Sequence, residues 1–525
     1  MNDLNDSERV ELNELCSLLV DGVAAEGQQR RLEKMLAGSE EARRFYVRTM
    51  AMSASLFSYA GEMQSDAPEP ANVVRPAQWR RWLVPLAAAA VVVAGIAVTR
   101  FFPGNTSPEA TDEIGETVAR LSGAKDCQWV KSGPSTGDEL MRGQRLDLKS
   151  GFAEVTFDSG AQLLLEGPVS LDLRSAWEAE FHRGSLKANV PPEAAGFRVT
   201  SAAVEVVDLG TEFSMTAEDG GVAEVFVLKG AVEVRPRDVG GNLMPKTVLR
   251  EKQARRFAKA GASDVRDGDH KFQSFARKVA IERLVRPMNF VRWSFDEGGG
   301  EIAAAVSNSG TDAHIRLPQS DAVESPWTDG KFGGALALDG ARGTVAKLSA
   351  PVNRGARTVA FWVRVSGDAG SSDAPWVTLP VHRGGDAWAE FSGNHLPGEG
   401  VLGALRMNTG AASVVGTTAL RDGRWHHLSA VFGQSAKNPG KLHSKIYVDG
   451  MLEPLSSKVL GRRAVAKVPA DLDGILRLGG RPGSSEKLHA AIDELLVADR
   501  PLAPQEIRYL MRTNALMTPE ALAAN

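Results

Sequence analysis

The sequence predicts a multidomain, mainly β protein in which a short helical bundle and one transmembrane helix precede two all-β domains. Three observations carry this prediction. The chain has 525 residues, which is more than one hydrophobic core accommodates. The stretch from Trp82 to Thr99 contains no charged residue. Beyond about residue 118, short runs alternate apolar and polar residues between turn signals, which is the period of half-buried strands.

Composition excludes several classes of protein. The formal net charge of -4 at pH 7 argues against nucleic acid as a main partner. The two cysteines are too few for a disulfide framework. An apolar share of 43%, together with 53 glycines and 26 prolines, indicates a globular, loop-rich and mainly β chain.

Residues 1–62 are predicted to form a cytoplasmic helical segment. Apolar residues recur there at steps of three and four, Gly22 and Gly38 mark helix ends, and Ser39 is a suitable N-cap for a third helix. So small a bundle is marginal alone, and we expect it to bind a partner through an apolar groove; a self-contained bundle is the alternative. The residues expected to face the partner are Leu12, Leu15, Leu19, Leu36, Phe45 and Tyr46. No histidine precedes His182, so the segment cannot build a zinc site of Cys and His ligands.

Residues 82–102 are predicted to form the transmembrane helix, between linkers at 63–81 and 103–117. The uncharged part gives about 27 Å of helix at roughly 1.5 Å per residue, close to the thickness of a bilayer core. Basic residues precede this segment and acidic residues follow it, so the positive-inside rule places the N-terminus in the cytoplasm. A buried core helix rich in Ala and Val is the alternative. The flanking charges are Arg75, Arg80, Arg81, Glu109, Asp112 and Glu113.

The run "VVDLGTEFSM" stands out in the first all-β domain, which is predicted over residues 118–262. Asp208 and Glu212 lie four residues apart, and an unbroken strand would place both on one face as a carboxylate dyad. Gly210, however, is expected to mark a bend that separates the two acids, and the hydroxyl of Thr211 is expected to tie it. We therefore interpret the run as structural. Gly210→Val should destabilise the domain, and Asp208→Asn should change little.

An ordered series of motifs runs through this domain: "DSGAQLLLEGPVSLDL", "AEFHRGSLKANV", "FRVTSAAVEVVDLGTEFSM", and "VFVLKGAVEV" followed by "TVLREKQARRF". In this order they resemble the FecR-like family of membrane-anchored regulators. The N-terminal stretch "EEARRFYVRTMAMSASL" is similar to the anti-sigma segment that often precedes such domains. The resemblance implies a single-pass protein that holds a sigma factor of the extracytoplasmic-function type on the cytoplasmic side. The short head and the additional C-terminal half depart from the best-known members.

A second all-β series follows a connecting helix or linker at 263–289 and extends over 290–515, before a tail at 516–525. Alternation is clear in "KIYVDG", where Asp449 and Gly450 close a hairpin. The pieces "WSFDEGGG", "RWHHLSAVF", "IYVDG" and "IDELLVADRPLAPQEI" occur in the order of the laminin G-like, concanavalin A-like jelly-roll β-sandwich, which this region resembles. That fold hosts lectins, adhesion modules and glycosidases, so the resemblance predicts the fold and leaves the function open.

Two tryptophans are the candidate ligand contacts of the second series. Trp376 and Trp388 have the ring area to stack on sugars, although tryptophan in a jelly roll is more often part of the core. In the pair His426 and His427, one ring is expected to face the interior and the other to face outward, both as structural residues.

Adjacent acids argue against an enzyme. Asp493 and Glu494 are neighbours on a strand, so their side chains point to opposite faces and do not form the carboxylate pair of a retaining glycosidase. Asp493 is the one candidate for holding a structural calcium ion, as in some relatives of this fold, and no other cofactor or metal is expected.

Together these features predict a single-pass regulator in the bacterial inner membrane, with a cytoplasmic N-terminus and periplasmic C-terminal domains. It is expected to couple an extracytoplasmic signal or ligand to a cytoplasmic sigma factor. The outer partner is expected to be a polysaccharide, bound by the jelly roll, or an envelope protein. The alternative is a membrane-anchored, adhesin-like module that binds carbohydrate or protein without regulating a sigma factor.

Overall fold

The two predicted all-β regions account for most of the structure. A computed structural model of the protein describes residues 11, 15, 26–38, 116–258, 261–265, 281–283, 287–310, 312–317, 326–338, 344–348, 357–367, 375–380, 388–408, 413–434, 441–456, 466–467, 474–479, 488–518 and 521. Within these ranges, no helix is both long and apolar enough to span a membrane. The predicted transmembrane segment 82–102 lies outside them, as does the linker 63–81.

One helix of the N-terminal segment is described, and it coincides with the run "EGQQRRLEKMLAG". This helix, α1, spans Glu26–Gly38 and buries Leu32 and Met35 along one face. Its Arg31 forms a two-point ion pair with Glu11, with N–O distances of 2.8 and 2.7 Å. The other helices predicted for residues 1–62 lie outside the described residues.

The first β domain is a single large sheet. Its strands are β1 (Thr117–Trp129), β2 (Glu139–Met141), β3 (Arg145–Phe157), β4 (Gln162–Ser175), β5 (Glu178–Asn189), β6 (Arg198–Thr200), β7 (Val204–Asp208), β8 (Glu212–Glu218), β9 (Val222–Lys229), β10 (Ala231–Pro236), β11 (Thr247–Arg250), β12 (Ala254–Ala258), β13 (Gly261–Asp264) and β14 (Glu282–Arg283). A 3₁₀ turn, Pro192–Ala194, separates β5 from β6. The main path runs β11-β10-β7-β6-β5-β4-β3-β1-β14, and β8, β9, β12 and β13 branch from β5.

Alternating apolar residues explain this sheet. On each strand, every second side chain points to the same face, so the predicted period of two collects one apolar face. Those side chains form a continuous core in which Leu163, Phe181, Val206 and Phe213 have no exposed surface. All described strand pairs of this sheet are antiparallel except β5 with β6, which is parallel.

The connection to the second domain is tied back to the first. Of the connecting helix or linker predicted at 263–289, the structure describes residues 263–265, 281–283 and 287–289, where β13 continues to Asp264 and β14 pairs with β1; the rest of the segment, with most of the predicted helix, lies outside the described residues. The guanidinium of Arg283 donates two hydrogen bonds to the carboxylate of Glu154 on β3, at 2.9 and 2.7 Å. The chain that leaves the first β domain is therefore anchored to its surface before the next domain begins.

The second domain is the predicted β-sandwich. Its strands are β15 (Phe290–Trp293), β16 (Ile302–Ala303), β17 (Val306–Ser307), β18 (Ile315–Arg316), β19 (Trp327–Asp329), β20 (Gly334–Ala337), β21 (Thr344–Leu348), β22 (Arg357–Val365), β23 (Val377–Pro380), β24 (Trp388–Gly393), β25 (Ala404–Asn408), β26 (Ser413–Ala419), β27 (Trp425–Gln434), β28 (Lys441–Val448), β29 (Met451–Leu452), β30 (Ala466–Lys467), β31 (Gly474–Leu478) and β32 (Ala490–Ala498). A helix, α2 (Pro504–Thr513), follows the last strand.

Two sheets face each other across one core. The larger sheet follows the path β17-β15-β32-β22-β27-β28-β29, and the smaller follows β21-β31-β23-β24-β25-β26. Side chains from both sheets, among them Trp293, Phe361 and Phe391, fill the space between them. On the opposite face of the larger sheet, α2 packs Ile507 and Leu510 against a second apolar cluster that includes Tyr447. Helix α2 therefore covers part of the outer face of the jelly roll.

Candidate functional site

The turn between β7 and β8 holds a buried carboxylate. Asp208 has no exposed surface, and its Oδ1 accepts hydrogen bonds from the backbone N–H groups of Gly210 at 2.6 Å and Thr211 at 2.9 Å. Its Oδ2 accepts a further hydrogen bond from the Thr211 hydroxyl. Gly210 has a φ of +95°, a conformation that favours glycine. Burial raises the pKa of Asp208 to about 7, against these three hydrogen bonds, which lower it.

The two acids of this run are separated, as the bend at Gly210 predicts. Glu212 pairs with Lys187 on β5, whereas the carboxylate of Asp208 bonds only within its own turn among the contacts described. The two carboxylates therefore do not form a dyad. The Thr211 hydroxyl ties the bend as expected, and sequence reasoning missed that its acceptor is the Asp208 carboxylate. The Asx pattern, an aspartate that precedes its N–H donors by two and three residues, was the available signal.

Three metal-ligand side chains meet on the surface of the first β domain. Ligand atoms of Asp172, Glu180 and His182 all lie within 4.8 Å of one another. Two arginines already bind these acids: Arg145 pairs with Asp172 at 2.6 Å, and Arg174 pairs with Glu180. The arginine hydrogen bond is the main cause that lowers the pKa of Asp172. The acids of this cluster are thus already paired with arginine guanidinium groups.

The predicted ligand contacts of the jelly roll fall into two cases. Trp376 is 3% exposed and belongs to the core, where a Cβ atom at Gly393 would lie 3.4 Å from its ring. It presents no ring face to a ligand, so the structure contradicts a sugar-stacking role and places it among core residues. Trp388 begins β24, but its side chain lies outside the part of the chain that the structure describes.

The predicted partner contacts of the N-terminal segment are mostly not described. Leu15 is 6% exposed, and Leu36 on α1 is half-buried. The remaining four, Leu12, Leu19, Phe45 and Tyr46, lie outside the described residues.

The adjacent acids on β32 have separate structural roles. The Oδ2 atom of Asp493 accepts hydrogen bonds from the backbone N–H groups of Lys331 at 2.8 Å and Phe332 at 3.0 Å. Glu494 instead binds the guanidinium of Arg292, at 2.6 Å. Burial raises the pKa of Asp493 to about 7. Neither acid is placed for hydrolysis with the other.

Asp493 offers one oxygen to a cation. Its Oδ1 is buried and has no hydrogen-bond partner among the described residues. Asp296 binds the same turn, because its Oδ1 accepts a hydrogen bond from Gly334 at 2.8 Å. Calcium prefers six to eight oxygen ligands, and these carboxylates alone supply fewer. The calcium ion expected at Asp493 stays a prediction.

The two neighbouring histidines face opposite sides of β27, as expected. His427 is 2% exposed, and its ring contacts Trp362 edge to face, with 5.2 Å between ring centroids. Its burial lowers its pKa to about 4. His426 lies between two carboxylates, Asp449 at 2.8 Å and Asp422 at 3.2 Å, and the hydrogen bond to Asp449 is the main cause that raises its pKa. Both are structural in this arrangement.

A face of the jelly roll that sequence reasoning missed contacts the first β domain. On β28, His443, Lys445 and Tyr447 alternate and so point away from the sandwich core. On α2, Arg508 and Arg512 lie four residues apart and share one helix face. The alternation within "LHSKIYV", opposite the core residues Ile446 and Val448, was the available signal.

The first β domain meets this face with carboxylates. The domain interface comprises Glu139, Asp158 and Glu193 on the first domain and His443, Lys445, Tyr447, Arg508 and Arg512 on the jelly roll. Lys445 Nζ lies 2.6 Å from the carboxylate of Asp158, and the Tyr447 hydroxyl donates to the Asp158 carbonyl at 3.2 Å. His443 lies 3.4 Å from Glu139, and both arginines contact Glu193, Arg508 at 3.8 Å.

Burial shifts the acid–base balance of the domain interface. Asp158 is 8% exposed, and burial raises its pKa although the charge of Lys445 opposes this. Burial also lowers the pKa of Arg508, which is 7% exposed. For Glu139, burial would raise the pKa, but the hydrogen bond to His443 and the nearby positive charges bring it below its ordinary value. At the domain interface, contacts with the oppositely charged groups therefore replace the hydration that these side chains lose on burial.

Two family models match the chain. A model described as FecR protein matches residues 146–233, within the first β domain. A model described as the concanavalin A-like lectin/glucanases superfamily, Laminin_G_3, matches residues 339–508, within the jelly roll. A comparison with curated proteins found no match.

Solved structures similar to the chain cover one domain or the other. Domain 4 of an extracellular arabinanase from Geobacillus stearothermophilus, solved with arabinotriose, is 18% identical over 43% of this chain and 100% of that one, with a TM-score of 0.30. A candidate anti-sigma factor from Parabacteroides distasonis is 18% identical over 26% of this chain and 65% of that one, with a TM-score of 0.22. The binding domain of botulinum neurotoxin serotype D is 14% identical over 42% of this chain and 51% of that one, with a TM-score of 0.25.

At these identities and TM-scores, the solved structures support no inference about function. The two family models match the regions in which the strand order and the motifs independently place a FecR-type sheet and a jelly roll. The chain therefore contains a FecR domain in its first β domain and a concanavalin A-like, laminin G-like domain in its jelly roll.

Proposed function

We propose that this protein is a single-pass regulator of the inner membrane, of the anti-sigma factor type. Its N-terminal segment restrains a sigma factor of the extracytoplasmic-function type, and its FecR and jelly-roll domains lie on the periplasmic side. The FecR domain is the observation that supports this proposal best, because a FecR domain fits a regulator. Helix α1, with its apolar face of Leu32 and Met35, agrees with a helical head.

The jelly roll supplies the outer binding domain in this proposal, with a polysaccharide or an envelope protein as its ligand. A binding role is favoured over hydrolysis by the two acids of β32. Asp493 is held by backbone N–H groups and Glu494 by Arg292, so neither is a free general acid or base. The signal passes from the jelly roll through the FecR domain and the membrane anchor to the head.

Capture of a sigma factor by residues 1–80, expressed in the native host, tests the proposal. We expect this fragment to retain one sigma factor of the extracytoplasmic-function type. The double variant Phe45→Ala/Tyr46→Ala should lose the sigma factor, because these two rings are expected to face it. Lys34→Ala, at an exposed position of α1, is the matched control and should retain it. Absence of any sigma factor from the wild-type capture would remove the main support for a regulator.

The jelly roll also supports a second candidate function. Its family model belongs to a superfamily that includes lectins, which favours a membrane-anchored module that binds carbohydrate or protein without regulating a sigma factor. A glycan array probed with residues 116–525 addresses it. Glycan binding together with failed sigma-factor capture would favour this alternative, and no glycan binding would count against a lectin role.

A further inference from the structure

We propose that the FecR domain and the jelly roll act as one body, held by the domain interface, and that opening of this interface is the step that transmits an outside signal. The docking of the two domains is inferred from structure alone, whereas transmission of a signal rests on the proposed regulatory function. Three features of the described residues support docking: the separation of charge by domain, the burial of the ion pairs and the close approach of the two surfaces.

Charge is divided between the two domains. The three acids of the domain interface belong to the FecR domain, and its four basic groups belong to the jelly roll. Glu139 also lies 3.7 Å from Arg120 of its own domain, whereas the ion pairs described for Asp158 and Glu193 all cross the interface. Contact therefore brings together two complementary surfaces, which fixes the orientation in which the domains meet.

Burial makes this contact two-state. The side chains of Lys445 and Asp158 are 17% and 12% exposed, and that of Arg508 is 8% exposed. Such charges are stable when paired or when fully hydrated, and they are costly in between, where a carboxylate has lost water without gaining its cation. A partly opened interface is therefore disfavoured, and the domains are either docked or apart.

Glycine allows the close approach. A Cβ atom at Gly160 would lie 2.1 Å from a terminal guanidinium nitrogen of Arg508. A Cβ atom at Gly433, on the strand next to His443, would lie 2.2 Å from the His443 ring and 2.8 Å from Glu139. A side chain at Gly160 would displace the Arg508 guanidinium, and one at Gly433 would displace His443 and Glu139, so these contacts depend on the two glycines as well as on the charges.

A second connection, between the FecR domain and the segment that leads into the jelly roll, supports the single body. Strand β14, just before the jelly roll, pairs with β1, and Arg283 binds Glu154. The FecR domain is thus held to the jelly-roll end of the chain both through β14 and through the domain interface. A ligand that displaces the jelly roll must move the FecR domain with it or open the interface.

Charge reversal in the full-length protein tests the structural half. Lys445→Glu places two negative groups together at Asp158, and we expect hydrogen exchange of the amides in β28, α2 and residues 158–160 to accelerate at least tenfold. Asp158→Lys should do the same, and the double variant Asp158→Lys/Lys445→Glu should restore part of the protection. Arg424→Glu, whose side chain is 84% exposed, reverses the same charge away from the interface and should change nothing.

Two outcomes would overturn the single body. The first is unchanged exchange in both single variants; the second is acceleration confined to the mutated domain with no rescue in the double variant. If a reversal variant does not fold, Tyr447→Phe keeps the ring and removes only the hydrogen bond to the Asp158 carbonyl. It should then accelerate exchange at residues 158–160 by several-fold, and no change there would equally contradict the proposal.

Signal transmission through the opening of the domain interface is measured separately, by transcription. In the native host, transcription from a promoter of the captured sigma factor should differ at least fivefold between Lys445→Glu and wild type, and the double variant should return toward the wild-type level. If exchange shows that the interface has opened and transcription stays constant, transmission through the interface is wrong and the single body stands. Failed capture of a sigma factor by residues 1–80 would instead refute the regulatory function and leave the exchange result untouched.

Discussion

Two turns of the FecR domain share one short pattern, an aspartate followed two residues later by glycine, and they differ in what satisfies the aspartate. Asp158 and Asp208 are both buried, and Gly160 and Gly210 have nearly equal φ angles of +97° and +95°. The carboxylate of Asp208 is satisfied by its own turn. That of Asp158 is satisfied by Lys445, from the other domain.

The two turns therefore differ in the range of their contacts: the Asp208 carboxylate forms local hydrogen bonds, and the Asp158 carboxylate forms a contact between domains. The Asp208 carboxylate finds its three hydrogen-bond donors within positions 208–211, so it is satisfied wherever this turn of the FecR sheet forms. In the Asp158 turn, the carboxylate pairs with Lys445 of the other domain, so the burial of this carboxylate depends on docking of the two domains. A turn of the first kind stabilises a domain, and a turn of the second kind links two domains.

The largest expected effect comes from breaking the local turn. Asp208→Ala removes three hydrogen bonds and leaves their donors unpaired, which should lower the free energy of unfolding of the FecR domain by at least about 3 kcal/mol. Asp208→Asn keeps an acceptor for the two backbone N–H groups and should cost less than about 1 kcal/mol. Hydrogen exchange of β7 and β8 in increasing denaturant measures both. Equal losses would show that the negative charge, rather than the hydrogen bonds, holds the turn.

The next effect distinguishes the two glycines. Gly210→Ala and Gly160→Ala should each cost about 1–3 kcal/mol, because both place a side chain at a positive φ. A Cβ at Gly210 meets only Pro192, at an ordinary 3.5 Å, whereas one at Gly160 meets Arg508 at 2.1 Å. Only Gly160→Ala should therefore also accelerate hydrogen exchange in α2. Acceleration in α2 by both variants would mean that the two turns are not independent.

The smallest expected effect is a pH dependence at the edge of the domain interface. The folded-state pKa of Glu139 is lowered, so its contribution to docking is present above its ordinary pKa and is lost as pH falls through the folded value. The charged groups that face it are His443, Lys445 and Arg120. Exchange protection at β28 should therefore differ between wild type and Glu139→Gln near pH 6, and the two proteins should converge in acid. A difference that persists or grows in acid would contradict this sign.

Much of the fold could be predicted because its causes are local in sequence. The period of two in residues 118–262 and 290–515 reports which side of each strand is apolar, and the sheets bury those sides. The helix "EGQQRRLEKMLAG" is confirmed as α1 for the same kind of reason, a period of three and four. The separation of Asp208 and Glu212 followed from one glycine between them.

The sequence by itself therefore determined the order and class of the two β domains, since periodicity, turn residues and motifs depend on residues that are close together in the chain. It did not determine which exposed-looking polar residues would be buried. Asp158 and Lys445 are 287 positions apart, and no local sequence pattern at either position predicts that the two side chains pair. Trp376 was equally undecided, because a large ring suits a core and a sugar alike, and packing between the two sheets placed it in the core. Tertiary structure decided these cases because burial depends on what lies opposite a side chain, and that neighbour is brought there only by the fold.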